Sequence, residues 1–170
     1  MLAVKLIYTF LFFTLTIMFA STEDKTLAIG DSVPSVIAPD HNNNDFDFKA
    51  NLSDTISVVF FYPKAHTPGC TMQACSMRDV FTVLHEKGII VIGISSDSPS
   101  SQKSFKEKHS LPYTLISDKS GAVAEAFGKG KWSRQAYIFN ENKLIWKDTK
   151  GATSKQGKEA VAALSSFGLI

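Results

Sequence analysis

Cysteine is scarce in this chain, with only Cys70 and Cys75 among 170 residues. A mini-scaffold stapled by several disulfides is therefore excluded, and a chain of this length needs no such staple. No Cys-x-x-Cys pair occurs, so the commonest dithiol redox motif is missing. Six Pro and ten Gly leave no room for low-complexity or collagen-like stretches. Charge of one sign is lacking too: 18 Lys and Arg oppose 16 Asp and Glu, for a net charge of +2, and no five like charges run together. Nucleic-acid binders normally carry a basic stripe and interaction tails carry charge runs, so neither class fits. The four histidines, His41, His66, His85 and His109, form no zinc-ligand spacing with either cysteine.

What is present is ordinary globular composition, 44% hydrophobic and 20% charged, enough for one domain. The apolar residues are unevenly spread. Between residues 1 and 20 only Lys5, Thr9, Thr14 and Thr16 are not apolar, and no charge falls between Leu6 and Thr22. A basic start, an apolar stretch and a small-residue exit at Ala20-Ser21 predict a secretory signal. The uncharged run also reaches the lower limit of a membrane anchor. Either reading predicts an exported or extracytoplasmic protein, in a periplasm or organelle lumen, whose domain occupies residues 26–170. Membrane contact would then come only through residues 1–20, if they are retained.

Along that domain, Gly30 to Pro39 and His41 to Asp45 read as turns around a short strand. The run Ile56 to Tyr62 is unbroken β-branched and aromatic, as in a central strand buried on both faces, and Pro63 stops it. A helix from about Thr71 to Lys87 follows, then a second buried strand from Ile89 to Ile94 and a helix from about Ser100 to His109. A strand near Thr114 to Ile116 and a brief helix within Lys119 to Phe127 come next. The segments Gln135 to Phe139 and Lys143 to Trp146 flank an Asn-Glu-Asn turn and predict a hairpin, before a last amphipathic helix over Ser154 to Phe167. The alternation predicts an α/β sandwich of thioredoxin-like order, a mixed central β-sheet flanked by α-helices.

The chemically informative stretch is residues 63–75, PKAHTPGCTMQAC, between the buried strand and the first long helix. It places Cys70 in the first turn of that helix, at the carboxyl edge of the sheet, where open α/β folds put ligands. Free N–H groups and the positive end of the helix dipole favour a thiolate over a thiol there. Cys75, five residues on, would have its Cα roughly 8–9 Å from that of Cys70 on an intact helix, whereas a disulfide spans at most ~7 Å. The two can bond only if the first turns unwind. An inert buried pair and a static staple are the bland readings, and the spacing alone does not exclude them. Thr67 as a helix cap and Arg134 as a solvated strand-end charge are equally ordinary when each is taken alone.

The segment FFYPKAHTPGCTMQACSMRD resembles the active-site region of the peroxiredoxins, and most closely the peroxiredoxin Q or bacterioferritin comigratory protein type. Pro63, Thr67 and Cys70 match the family's Pro-x-x-x-Thr/Ser-x-x-Cys pattern, and Cys75 matches the resolving cysteine of many members. The likeness runs from about Leu27 to the C-terminus and includes Gly30-Asp31, Ser95 with Asp97, Ser117-Asp118 and Arg134. It implies a thioredoxin-like fold, no cofactor, and a thiol-dependent peroxidase acting on hydrogen peroxide and organic hydroperoxides. By the resemblance, Cys70 is the peroxidatic nucleophile and Cys75 resolves it in an intramolecular disulfide. Thr67 places its hydroxyl beside the sulfur, Arg134 adds positive charge next to the thiolate, and Pro63 shields the pocket. A thioredoxin-like reductant recycles the enzyme, and the branch implies a monomer. An exported thiol–disulfide oxidoreductase acting on proteins is the alternative. The chain departs from the family at His66, where Asp is common, at Ala136-Tyr137 where Thr-Phe is common, and in its Asn140-Glu141-Asn142 turn; the Lys131-Trp132 rim bears on substrate preference.

Overall fold

The structure is a computed structural model that describes residues 26–130 and 133–170. The expected signal or anchor at residues 1–20 and the Lys131-Trp132 rim lie outside the described residues. Among the described residues no helix is long and apolar enough to cross a membrane.

Five strands form the main sheet: β3 (Ile56–Phe61), β4 (Ile90–Ser95), β5 (Thr114–Ser117), β6 (Gln135–Asn140) and β7 (Lys143–Asp148). Their order is β5-β4-β3-β6-β7. The β3–β4 and β4–β5 pairs are parallel, and the β3–β6 and β6–β7 pairs antiparallel. The sheet is therefore mixed, with β3 at its centre. The unbroken apolar run of β3 follows from its two buried faces: Val58, Phe60 and Tyr62 enter one core, and Val59 and Phe61 the other.

The first core is covered by α2 (Pro68–Glu86), α3 (Pro99–Lys108) and α5 (Gln156–Ser166), which contribute Met77, Phe105 and Leu164 among others. The second is covered by the N-terminal segment, by α1 (Phe48–Leu52) and by α4 (Ala122–Ala126). There Phe127 stacks edge-on against Phe48, Phe61 and Tyr137.

The N-terminal segment differs from expectation. Two strands, β1 (Ile37–Pro39) and β2 (Asp45–Asp47), pair antiparallel around the turn at residues 40–44, where one strand between turns was expected. The unforeseen α1 follows, capped by the Asp47 carboxylate, which accepts from the Ala50 N–H at 3.0 Å. Five residues carry too little periodicity to be read, and burial of Phe48 and Leu52 is what holds the helix. The hairpin at residues 140–142 forms as expected, with positive φ at Glu141 and Asn142 as its tight turn requires.

Candidate active site

The α2 helix begins at Pro68 rather than near Thr71, because proline at the first helical position brings a preset φ and no N–H to orphan. Thr67 stands at the N-cap with extended backbone, but its side chain caps no helix N–H. Its hydroxyl instead donates to the Lys64 carbonyl at 3.0 Å. That donation uses the hydroxyl's only proton, which leaves its oxygen as an acceptor.

The loop before the helix is tied to the sheet through Asp97. One carboxylate oxygen accepts from the Ala65 N–H and from the Ser95 hydroxyl, both at 2.7 Å. Behind it, the buried Gln102 amide donates to the Ser95 hydroxyl at 2.9 Å and accepts from the Tyr62 hydroxyl. Burial pushes the Tyr62 phenol well up, so it stays a neutral donor. His66 takes a left-handed backbone (φ +62°) and packs its ring edge-on against Phe105, 5.2 Å between centroids. Pro63 is part of the wall of a cavity of about 460 Å³ at the carboxyl ends of β3 and β4, which Cys70 does not line.

Cys70 lies in the first turn of α2 and is 1% exposed; Cys75 is half-buried, and both are free thiols. The Arg134 side chain reaches the sulfur from the residue before β6. The register that sets Gln135 opposite Phe61 brings the start of β6 level with the end of β3, and so brings residue 134 to the cysteine loop. Arg134 Nη1 stands 3.2 Å from Cys70 Sγ and donates to Gln73 Oε1 at 2.9 Å. A guanidinium at that distance stabilises negative charge on sulfur.

Two glycines make room for this arginine. A Cβ on Gly69 would lie 2.9 Å from Arg134 Nη2, and one on Gly151 would lie 3.3 Å from Arg134 Cβ. Gln73, one turn beyond Cys70, is wholly buried, and its Nε2 donates to the Phe61 carbonyl at 3.0 Å and to Gln156 Oε1 at 2.6 Å. Sequence reasoning missed Gln73 and Gln156. A signal existed only for Gln73, a polar residue three positions from Cys70 on one helix face.

The geometry brings together Cys70, Arg134 and Thr67's loop, and sets Cys75 on the same helix as Cys70. Comparison with known proteins then decides the family: the model of the AhpC/TSA family matches residues 29–147, more than half of the chain. The chain belongs to the AhpC/TSA family. Its relatives are peroxiredoxins of the Bcp and PrxQ type. It is 40% identical over 115 residues to peroxiredoxin Bcp of Escherichia coli K12, covering 66% of this chain and 70% of that one. It is 37% identical over 123 residues to peroxiredoxin bcp1 of Schizosaccharomyces pombe, covering 69% of this chain and 63% of that one. With a putative peroxiredoxin bcp of Coxiella burnetii it shares 51% identity over 71 residues, which is 42% of this chain and 47% of that one. The match thus spans less than two thirds of the S. pombe and C. burnetii proteins.

Among solved structures, peroxidoxin BcpB of Mycobacterium tuberculosis superimposes with a TM-score of 0.75 at 31% identity, over 82% of this chain and 97% of that one. The bacterioferritin comigratory protein of Xanthomonas campestris, whose alkyl peroxide reduction activity has been studied, superimposes at 0.74 with 21% identity, over 82% and 99%; at that identity it bears on the fold alone.

One expectation is corrected by these relatives. The exported or extracytoplasmic placement rested wholly on residues 1–20, whereas the three relatives above are Bcp peroxiredoxins of two bacteria and a yeast, and no helix among the described residues is long and apolar enough to cross a membrane. An apolar run is a compositional signal that fits several fates, and the periplasm or organelle lumen is not retained as the location.

Proposed function

We propose that this chain is a thiol-dependent peroxidase in which Cys70 is the peroxidatic cysteine and Cys75 resolves it. The observation that carries the reading is the Arg134 Nη1 at 3.2 Å from the Cys70 sulfur, which itself lies in the first turn of α2. The thiolate attacks the terminal oxygen of a hydroperoxide, the O–O bond breaks, and sulfur is oxidised to a sulfenic acid. The departing alkoxide or hydroxide takes up a proton and leaves as alcohol or water. Arg134 and the free N–H groups of the first helical turn face the charge that develops on that oxygen.

The Cys75 thiol then condenses with the sulfenic acid, releasing water and forming the disulfide. Both cysteines lie on α2, so the step needs one chain only, but it needs the start of the helix to unwind. A thioredoxin-like dithiol returns both cysteines to thiols by two exchange steps. Around Cys75, Arg78 donates to the His109 carbonyl at 3.0 Å and pairs with Asp79 at 2.8 Å. The Asp79 hydrogen bond foremost, with the Cys75 charge as a further cause, raises the Arg78 pKa.

Direct exchange between Cys70 and a protein disulfide is disfavoured by the burial of the sulfur at 1% exposure, which admits a small peroxide far more readily than a polypeptide. The deciding test is consumption of hydrogen peroxide and of an organic hydroperoxide by the purified protein with dithiothreitol. Turnover that vanishes in Cys70→Ser supports the reading; a wild-type protein that consumes neither peroxide refutes it.

A further inference from the structure

The Cys70–Arg134 pair stands at one end of a chain of side chains that the peroxidase chemistry does not itself require. Gln73, Gln156 and Asp148 come from α2, α5 and the end of β7, and both glutamines are wholly buried. The links are Arg134 Nη1 to Gln73 Oε1 at 2.9 Å, Gln73 Nε2 to Gln156 Oε1 at 2.6 Å, and Gln156 Nε2 to Asp148 Oδ2 at 3.2 Å. Asp148 also accepts from the Lys150 N–H at 2.8 Å.

We propose that Gln156, with Asp148 behind it, is a positioning residue for peroxide reduction: it fixes which way round the Gln73 amide sits and thereby where Arg134 is held. The reason is the direction of the hydrogen bonds. A carboxylate offers only acceptors, so Gln156 must turn its NH2 toward Asp148 and its oxygen toward Gln73. Gln73 must then turn its NH2 toward Gln156, where the Phe61 carbonyl accepts from the same nitrogen at 3.0 Å. Only the Gln73 oxygen remains for Arg134. Were the Gln73 amide reversed, NH2 would face guanidinium and oxygen would face two oxygens, with all three of these Gln73 contacts repulsive. Buried polar groups left in that state carry the full desolvation penalty. The carboxylate at the outer end, acting with the Phe61 carbonyl, thus sets the sense of a relay whose inner end places Nη1 between Gln73 and the sulfur.

The proposal rests on the reading of Cys70 as the peroxidatic thiolate, and the experiment separates the two. The proteins are Gln156→Leu and Asp148→Asn, each with Arg134 present and each in an Arg134→Ala background. Asp148→Asn matters because an asparagine of the same shape can donate as well as accept, which removes the constraint on the Gln156 amide while leaving the buried packing alone. The measurements are the single-turnover rate constant for Cys70 oxidation by hydrogen peroxide, and the thiolate fraction of Cys70 at neutral pH by its ultraviolet absorbance with Cys75→Ser throughout.

With Arg134 in place, Gln156→Leu is expected to slow oxidation about tenfold and Asp148→Asn about threefold, as loss of a buried hydrogen bond allows, with a parallel fall in thiolate fraction. In Arg134→Ala, each further substitution should change the rate by less than about twofold, because residues acting through one partner are not additive. Equal losses with and without Arg134 would overturn the proposal, since a merely structural contribution from α5 acts in both backgrounds. So would a folded Asp148→Asn protein indistinguishable from wild type in both measurements. Peroxide consumption surviving in Cys70→Ser would refute the peroxidatic reading, and the relay with it; a dead Cys70→Ser beside overturning relay results would refute the relay alone.

Discussion

The backbone of Gly69 faces the guanidinium of Arg134 so closely that a methyl group on Gly69 would lie 2.9 Å from Nη2. The residue before Cys70 therefore keeps its side chain short so that an arginine 64 positions beyond the cysteine can reach the sulfur. Gly69→Ala should push the guanidinium aside while leaving the core untouched. The peroxide rate should fall about tenfold to a hundredfold, the scale of an ångström-sized misplacement, with little change in Tm. Unaltered kinetics in Gly69→Ala would show that the observed position of Arg134 is not the working one.

The two cysteines should separate cleanly in single-turnover chemistry. Cys75→Ser should consume about one equivalent of peroxide and stop at the sulfenic acid. Cys70→Ser should consume none. Mass spectrometry of the trapped sulfenic acid checks the first, and a sulfenic acid found on position 75 would reverse the roles.

Oxidation should open the start of α2. The Thr71 N–H donates to the Thr67 carbonyl at 2.9 Å, and Ser76 is held to α5's approach by bonds to the Thr153 carbonyl at 3.1 Å and from the Gly157 N–H at 3.2 Å. The disulfide cannot form with these first turns in place. Amides of residues 71–76 should lose hydrogen-exchange protection in the disulfide form, and Gly157 should follow if the unwinding reaches Ser76. Equal protection in reduced and oxidised protein would rule out the unwinding step.

Gly157→Ala should test that junction from the other side. A Cβ there would lie 2.1 Å from the Ser76 carbonyl oxygen, and backbone cannot yield as a flexible side chain does. Destabilisation of about 3 kcal/mol is expected from such overpacking, read as a lower urea midpoint.

Acid stability should depend in part on His41. Burial first and the charge of Lys106 second lower its imidazole pKa, against the pull of Asp40 and a hydrogen bond with Leu115. The unfolded chain protonates this histidine near ~6.5, and the folded chain only below that. Between the two values the unfolded state binds more protons, so stability falls as pH drops through that window. His41→Gln should flatten this part of the urea-midpoint profile. Parallel profiles for the two proteins would show no such linkage.

Legibility from sequence was uneven for physical reasons. The β3 run and the Pro63 stop are local signals, because burial on both faces and a missing N–H mark the residues themselves, whereas the sequence pattern places the start of α2 near Thr71, three residues after Pro68. The short α1 was illegible because its stability comes from Phe48 and Leu52 meeting the second core, not from its own turns. Thr67 stands at the N-cap of α2, yet the direction of its hydroxyl, toward Lys64, depends on the loop that Asp97 ties down.

By itself, then, the sequence determined the strand–turn–helix that lifts Cys70 to a helix start and sets Cys75 on the same helix, because every term in it acts over a few residues. Only the tertiary structure decided what meets the sulfur. Arg134 arrives there because antiparallel pairing of β6 with β3 puts Gln135 opposite Phe61. Gln73 is oriented because α5 brings Gln156 within 2.6 Å of it. Hydrogen bonds between residues 61 and 83 positions apart have no periodicity to announce them; they exist because the sheet and its covering helix close over one buried place.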